Sequence, residues 1–344
     1  MLDRCRLSDY EYYLPEELIA QKPLDERDQS RMLVLDRFRG SIEHTVFQHL
    51  PEYLTQGDLL VFNDTRVIPA RLVGRIAGKE ASAEVLLLHK QDDGKWVAMV
   101  KPGKKLKPGA RVVFDYGVEA LVEGYTENEL RLISFSSSRP LEELLPELGK
   151  VPLPPYIKRE VDHPEQYQTI YAEKEGSAAA PTAGFHFTDR VFNALKAKGV
   201  ETTFITLHIG PGTFQPVKTE DIREHRMHYE FYKISGDTAE TINRAKREER
   251  RIIAVGTTVC RVLETVADEK GQVKEQEGWT DLYIYPGFEF QLVGAMLTNF
   301  HLPRSTLLML ISAFGGYDLV MRAYREAVEE QYRFYSFGDC MLIL

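Results

Sequence analysis

The sequence predicts an α/β protein: a layered α/β/α domain with a small antiparallel β-barrel domain inserted into it. Three observations carry this reading. Residues 65–150 break into short β-type runs with little helical period. On both sides of them, apolar strands alternate with amphipathic helices. The length of 344 residues suits two domains at roughly 100–200 residues per domain. The expected division is a discontinuous α/β catalytic domain, 1–64 with 151–344, and a barrel domain, 65–150.

Taken in order, MLVLDR (32–37) and GDLLVF (57–62) read as strands. The barrel runs are ARLVGRIAG, AEVLLLHK, WVAMV, ARVVFDY, EALVEGY and LRLISF, divided by Asp92-Asp93-Gly94, Pro102-Gly103 and Glu127-Asn128. After the proline-rich hinge VPLPPYIK (151–158), strands and helices alternate. DRVFNALKAKG (189–199) is an amphipathic helix ended by Gly199, and VETTFITLHI (200–209) is a strand. DTAETINRAKREERR (237–251) is a helix with Asp237 as its N-cap. IIAVG then leads into the helix TTVCRVLETVADEK, and DLYIY is a further strand. PRSTLLMLISAF, with Pro303 in its first turn, is apolar nearly all round and should be buried. No repeat or low-complexity tract interrupts the pattern.

Composition narrows the class. With 43% hydrophobic and 28% charged residues the chain reads as soluble and globular. The start, MLDRCRLSDYEYY, has no apolar run, so no signal peptide is expected. The longest apolar stretch, Leu307 to Phe314, falls far short of the ~20 residues that span a bilayer. Cys5, Cys260 and Cys340 are scattered, which fits a reducing cytoplasm and argues against a thiolate metal site. The net charge of −9 means that a polyanionic partner must be held by a local patch. KPGKKLKPGAR (101–111) offers one, with Lys101, Lys104, Lys105, Lys107 and Arg111; Lys158 and Arg159 offer a second. A solvated loop on a small β domain is the plainer account of the first.

Three histidines stand between apolar neighbours beside glycine or proline: Phe185-His186-Phe187, Leu207-His208-Ile209 and Phe300-His301-Leu302. In extended chain, two flanks in the core would aim the imidazole the opposite way, at a cleft. Histidine also titrates nearest neutral pH. The alternative is a core histidine with both nitrogens satisfied, and both readings stand. No two are spaced HxH or HxxxH within one element, so a zinc-type site has little support.

Other segments look built for ligands. AVGTTVCRVLE (254–264) reads as strand, glycine, helix start, where free N–H groups hold anions; Thr257, Thr258 and Arg261 would add hydroxyls and charge. Thr258 as a simple N-cap is the plainer reading. LHIGPGTFQPV (207–217) makes a sharp turn with Gly210 and Gly212, followed by Thr213 and Phe214. There is no Walker loop and no GxGxxG after a strand. FNDTRVIPARL (62–72) puts Asn63, Asp64, Thr65 and Arg66 at a strand end, where α/β folds gather ligands. YRFYSFGD (332–339) offers aromatic faces for a base or for the core, and RMHYEFY (226–232) would place His228 and Glu230 on one strand face.

Nine blocks then carry a resemblance. LPEELIAQKPLDERDQSRML, GDLLVFNDTRVIPARL, YQTIYA, PTAGFHFT, LHIGPGTFQPV, AVGTTVCRVLE, GWTDLYIYPG, TNFHLPRSTLLML and YRFYSFGD run in order from residue 14 to 339. Together they resemble the S-adenosylmethionine:tRNA ribosyltransferase-isomerase family of queuosine biosynthesis. Val259-Cys260, Tyr229 and Gly294 depart from the family pattern, which puts catalytic roles at those places in doubt.

The resemblance implies an α/β domain with an inserted barrel. It also implies transfer and isomerisation of the ribosyl part of S-adenosylmethionine onto 7-aminomethyl-7-deazaguanine at the anticodon wobble position. The products are epoxyqueuosine-tRNA, adenine and methionine. No metal or prosthetic group is expected; the partners are tRNA and S-adenosylmethionine, with no membrane, and the chain is expected to be a monomer. A base would remove a C5′ hydrogen beside the sulfonium, an acid would assist adenine loss, and the aminomethyl group would then attack. His186 and His208 are the acid/base candidates, and His301 would orient ligand or loop. Thr182 and Asn299, beside the histidine motifs, join the strand-end and glycine-turn residues as substrate-binding candidates. The rivals are a histidine-metal hydrolase of a nucleotide-like substrate and a non-catalytic RNA-binding protein.

Overall fold

The computed structural model describes residues 4–91, 93–126, 129–159, 163–210 and 217–344. The chain divides into two compact units. One holds Met1–Thr65, Pro155–Lys174 and Pro181–Leu344; the other holds Arg66–Pro154 with Glu175–Ala180.

The second unit is the antiparallel barrel. Its strands are Arg71–Ile76, Ser82–Lys90, Trp96–Lys101, Arg111–Val113, Glu119–Tyr125 and Arg131–Ser136. Pairing of the first with Arg111–Val113 closes the cylinder. The two-residue alternation sends Leu72, Val85, Leu87, Val112, Val122 and Ile133 inward, where all are buried.

The first unit is built on a nine-stranded mixed sheet. Its strands are β1 (Arg31–Asp36), β2 (Ser41–Val46), β3 (Leu59–Asn63), β4 (Glu201–Leu207), β5 (Glu230–Ile234), β6 (Ile252–Val255), β7 (Gln276–Thr280), β8 (Ala295–Asn299) and β9 (Cys340–Ile343). The order is β7-β5-β4-β3-β6-β8-β9-β1-β2. The central four, β4, β3, β6 and β8, run parallel. β3, β6, β8 and β9 are buried throughout, which explains their mainly apolar sequences, broken only by Asn63, Thr298 and Asn299 at the strand ends. Helices α1 (Asp189–Ala197), α2 (Gly236–Arg247), α3 (Thr257–Val266), α4 (Thr306–Gly315) and α5 (Tyr317–Glu329) pack around it. No single helix among the described residues is long and apolar enough to cross a membrane.

Several local expectations need correction. Ser235, not Asp237, caps α2: its side chain accepts the Thr238 N–H at 3.2 Å, and Asp237 sits in the first turn. Ser305 caps α4 in the same way, so Pro303 lies before the helix rather than in it. α3 stops at Val266. DLYIY is not a strand; the strand is the preceding β7. The reason is where its backbone groups go. The Leu282 N–H is taken by Thr280 Oγ1 (3.2 Å) and the Leu282 carbonyl by Arg261 Nε (3.0 Å), leaving no ladder to join. The aromatics of YRFYSFGD are core: Tyr332, Phe334, Tyr335 and Phe337 are buried.

Candidate active site

Ligands in α/β sheets gather beyond the carboxyl ends of parallel strands. Here β4, β3, β6 and β8 end side by side in Leu207, Asn63, Val255 and Asn299. The next residues are His208, Asp64-Thr65, Gly256-Thr257 and Phe300-His301. β9 and β1 run against β8, so their starts, near Asp339 and Ser30, reach the same edge.

At the β3–β4 end, Asn63 is fully buried and its amide is spent on the neighbouring strand. Nδ2 donates to the Leu207 carbonyl (3.0 Å), and Oδ1 accepts from Leu207 N (2.9 Å) and Thr65 N (3.2 Å). That lock places Thr65 Oγ1 2.8 Å from His208 Nδ1. The imidazole stacks on Phe231 at 5.8 Å between centroids. Its Nε2 makes no hydrogen bond to a described residue, and burial lowers its pKa, so the neutral ring prevails at pH 7. Asp64 accepts from Thr206 Oγ1 at 2.6 Å, and burial raises its pKa against that bond and Lys174. Arg66 falls at the start of the barrel unit.

Beside this, Glu230 is buried and accepts the Gly210 N–H at 2.9 Å while its other oxygen pairs with Arg261. Arg261 is therefore neutralised rather than a free positive charge. Its Nη2 is nonetheless buried with no hydrogen-bond partner among the described residues, and so is Thr258 Oγ1. Thr258 is not the cap of α3. Gly256 holds that position at φ +99°, a conformation that favours glycine, and Thr257 opens the helix. His228 is exposed and precedes β5, whereas Glu230 is buried within it, so the two do not share a strand face. Gly212, Thr213 and Phe214 lie outside the described residues.

His186 contradicts the extended reading. It ends a one-turn 3-10 segment, Thr182–His186, so Phe185, His186 and Phe187 are all buried. Asn299 Nδ2 faces the carbonyls of Tyr335 (3.2 Å) and Asp339 (3.3 Å), which fixes the amide; Oδ1 then accepts from Thr182 Oγ1 (3.1 Å). The same Nδ2 donates to His186 Nε2 (3.2 Å). Nδ1 therefore carries the proton and donates to Ser30 Oγ (2.6 Å), whose hydroxyl donates to the Arg27 carbonyl (3.1 Å). Both ring nitrogens are occupied. Burial, helped by Arg27 and Arg333, pushes the pKa down to about 3. His301 is also buried, and burial alone pushes its pKa down to about 3. Tyr324 Oη takes its N–H at 2.8 Å and Tyr12 donates to its carbonyl, while Thr298 Oγ1 lies 3.3 Å from its Nε2. His186 and His301 thus share the β8 end, linked through the Thr298-Asn299 segment, and His208 stands at the β3–β4 end.

Gly184 shows how closely this edge is built: a Cβ there would lie 1.9 Å from Tyr171 Oη. On the barrel, Lys101, Lys104, Lys105, Lys107 and Arg111 are all exposed, and Arg111 faces Glu119. Arg131 braces the lysine loop, donating to the carbonyls of Leu106 (2.7 Å) and Gly103 (3.1 Å). Lys158 pairs with Glu16, and Arg159 is exposed. Sequence reasoning missed the Glu230–Arg261–Gly210 bridge and the Ser30 partner of His186; both join residues far apart in the chain.

Comparison with known proteins is consistent along the whole length. The family described as "Queuosine biosynthesis protein" matches residues 7–343. The S-adenosylmethionine:tRNA ribosyltransferase-isomerase of Symbiobacterium thermophilum is 56% identical over 340 residues, covering 98% of this chain and 100% of the relative. The enzyme of that name from Carboxydothermus hydrogenoformans is also 56% identical, with the same coverage. The crystal structure of S-adenosylmethionine tRNA ribosyltransferase from Thermotoga maritima is 42% identical, covers 98% of this chain and 100% of that one, and superposes with a TM-score of 0.57.

Proposed function

The chain belongs to the queuosine biosynthesis protein family, and from that premise we propose a division of labour among its strand-end residues. Its activity is that of an S-adenosylmethionine:tRNA ribosyltransferase-isomerase. It moves the ribosyl part of S-adenosylmethionine onto the aminomethyl-deazaguanine of tRNA and rearranges it, releasing adenine and methionine. Neither the family nor the relatives support a histidine-metal hydrolase.

His208 is the acid/base residue. The observation that carries this is its ring: half-buried, neutral, anchored at Nδ1 by Thr65, with Nε2 unengaged by any described residue. Nε2 takes the proton from the carbon beside the sulfonium, leaving the electron pair on that carbon as an ylide. His186 cannot share the task in its observed state, because both nitrogens are bonded and the ring resists protonation. It positions Asn299 and Thr182; His301 positions the turn after β8. Asp64, at the same strand end and with its pKa raised by burial, completes the polar lining there.

The first turn of α3, with the Thr258 hydroxyl and Arg261 Nη2 unpartnered among the described residues, suits the methionine carboxylate. Gly210, Gly212, Thr213 and Phe214 remain the candidates for the ribosyl and adenine parts. Lys101, Lys104, Lys105, Lys107 and Arg111 are the phosphate contacts for tRNA, with Lys158 and Arg159 as a second set. The chemistry needs no metal or prosthetic group.

Free adenine, measured in a single turnover with S-adenosylmethionine and tRNA carrying the modified base, tests the activity. His208→Ala should slow it by roughly 10²–10⁴-fold. A loss below tenfold with the fold intact would remove His208 from the role.

A further inference from the structure

The row that begins at His208 continues outward across the sheet. His208 donates its N–H to the Phe231 carbonyl at 2.9 Å, and Phe231 pairs directly with Trp279 across β5 and β7. The three rings form a ladder. His208 and Phe231 are 5.8 Å apart with 21° between planes; Phe231 and Trp279 are 5.6 Å apart at 70°.

Strand alternation sends Glu230, Tyr232 and Thr280 to the covered face, where they are buried. Trp279 faces the other way and is 49% exposed, and Tyr229 is 60% exposed. An indole 49% exposed on the sheet's edge strand keeps part of its surface in solvent, and amphipathic aromatics are well suited to stacking partners. The surrounding charge is balanced. Lys233 and Glu277 pair with each other at 2.8 Å, and Arg226 and Asp281 both flank Tyr229.

Sequence-specific RNA recognition favours single-stranded loops, whose unstacked bases lie on aromatic side chains. Continuity with His208 selects the occupant. We propose that Trp279, with Tyr229 and Phe231, is a stacking platform for an unpaired nucleobase of the RNA loop that delivers its modified base to His208. The inference rests on the tRNA-modifying activity given above and adds a recognition surface on the α/β unit.

The test uses the full chain and an anticodon stem-loop carrying the aminomethyl-deazaguanine. Trp279→Ala should raise the RNA Kd by about 5- to 150-fold, the range for loss of one base–aromatic stack. Trp279→Phe should restore most of it, which guards against simple misfolding, and turnover at saturating RNA should change only a few-fold. The chain has two tryptophans, and Trp96 is buried in the barrel core. In a Trp96→Phe background, emission therefore reports Trp279 alone, and RNA should quench it. An unchanged Kd with unquenched emission would overturn the platform. So would a Trp279→Ala variant that alters only self-association, because the face would then join two copies of the chain. A wild-type chain that releases no adenine with this RNA would instead sink the activity, and the platform with it.

Discussion

Acid should destabilise the α/β unit, and His186 should account for a measurable share. In the folded chain its pKa is about 3, whereas in the unfolded chain it returns to about 6.5. Between those values the unfolded state binds a proton that the folded state refuses. Stability therefore falls as pH drops below about 6.5 and levels off near 3. Going from pH 7.5 to 5, one such ring removes about 2 kcal/mol, at 1.36 kcal/mol per pH unit over about 1.5 units. His301, with the same pKa of about 3, should remove a similar amount. The assay is urea unfolding at pH 7.5 and 5 in a Trp96→Phe background, following Trp279. His186→Gln keeps a donor for Ser30 and an acceptor for Asn299 but cannot titrate. Its loss of stability over the same interval should be smaller than the parent's by about 2 kcal/mol. Equal losses would refute the neutral, doubly bonded His186.

The other expectations are equally direct. The pH profile of kcat/KM should show an acid limb with an apparent pKa below 6.5, since burial lowers that of His208; a limb at or above 6.5 contradicts the assignment. Glu230→Gln should cost about 3–5 kcal/mol in unfolding experiments by stranding the buried Arg261. Glu230→Gln with Arg261→Met should recover much of it, and a loss under about 1 kcal/mol would show that the pair is not buried as described. Gly184→Ala should destabilise by about 1–3 kcal/mol through its collision with Tyr171 Oη. Adding Tyr171→Phe should relieve part of that, since Thr169 Cγ2 stays at 2.8 Å, and equal melting of the single and double variants would argue against the contact. Replacing Lys104 and Lys105 by Ala should flatten the salt dependence of tRNA binding by roughly 0.7–0.9 log unit per decade for each lost contact. An unchanged slope moves the phosphates elsewhere, with Lys158 and Arg159 next to test.

The barrel was legible because each run alternates with period two, and the same residues, such as Val85 and Leu87, turn inward in the fold. Of the parallel strands, β3 and β6 were legible as apolar runs and β4 as VETTFITLHI, whereas β8 was not singled out. What failed was local geometry with more than one solution. PTAGFHFT forms a turn rather than a strand, so flanking phenylalanines did not aim His186 at a cleft. DLYIY has strand composition, yet Thr280 and Arg261 capture its backbone first. The α2 cap went to Ser235, two positions before the expected Asp237, because the entering chain, not the helix, decides which side chain reaches the free N–H groups. The Glu230–Arg261 pair spans 31 residues, and no local pattern encodes such a contact.

On the proposed assignment of His208, a neutral imidazole at the end of β4 suits a sulfonium donor, and the charge balance shows why. Removing the proton beside the sulfonium leaves a net neutral ylide and creates an imidazolium. Positive charge moves from donor to enzyme, and the total in the half-buried site stays constant. A carboxylate there would pair with the sulfonium before reaction and lose that attraction as it took the proton. It would favour the bound ground state over the transition state. A cationic histidine could accept no proton at all. The burial that lowers the His208 pKa thus favours the form the proposed role needs, while Thr65 engages Nδ1. The Glu230–Arg261 pair fits the same logic. Tied also to the Gly210 N–H, it adds no net charge near the strand end where the proposal puts the sulfonium.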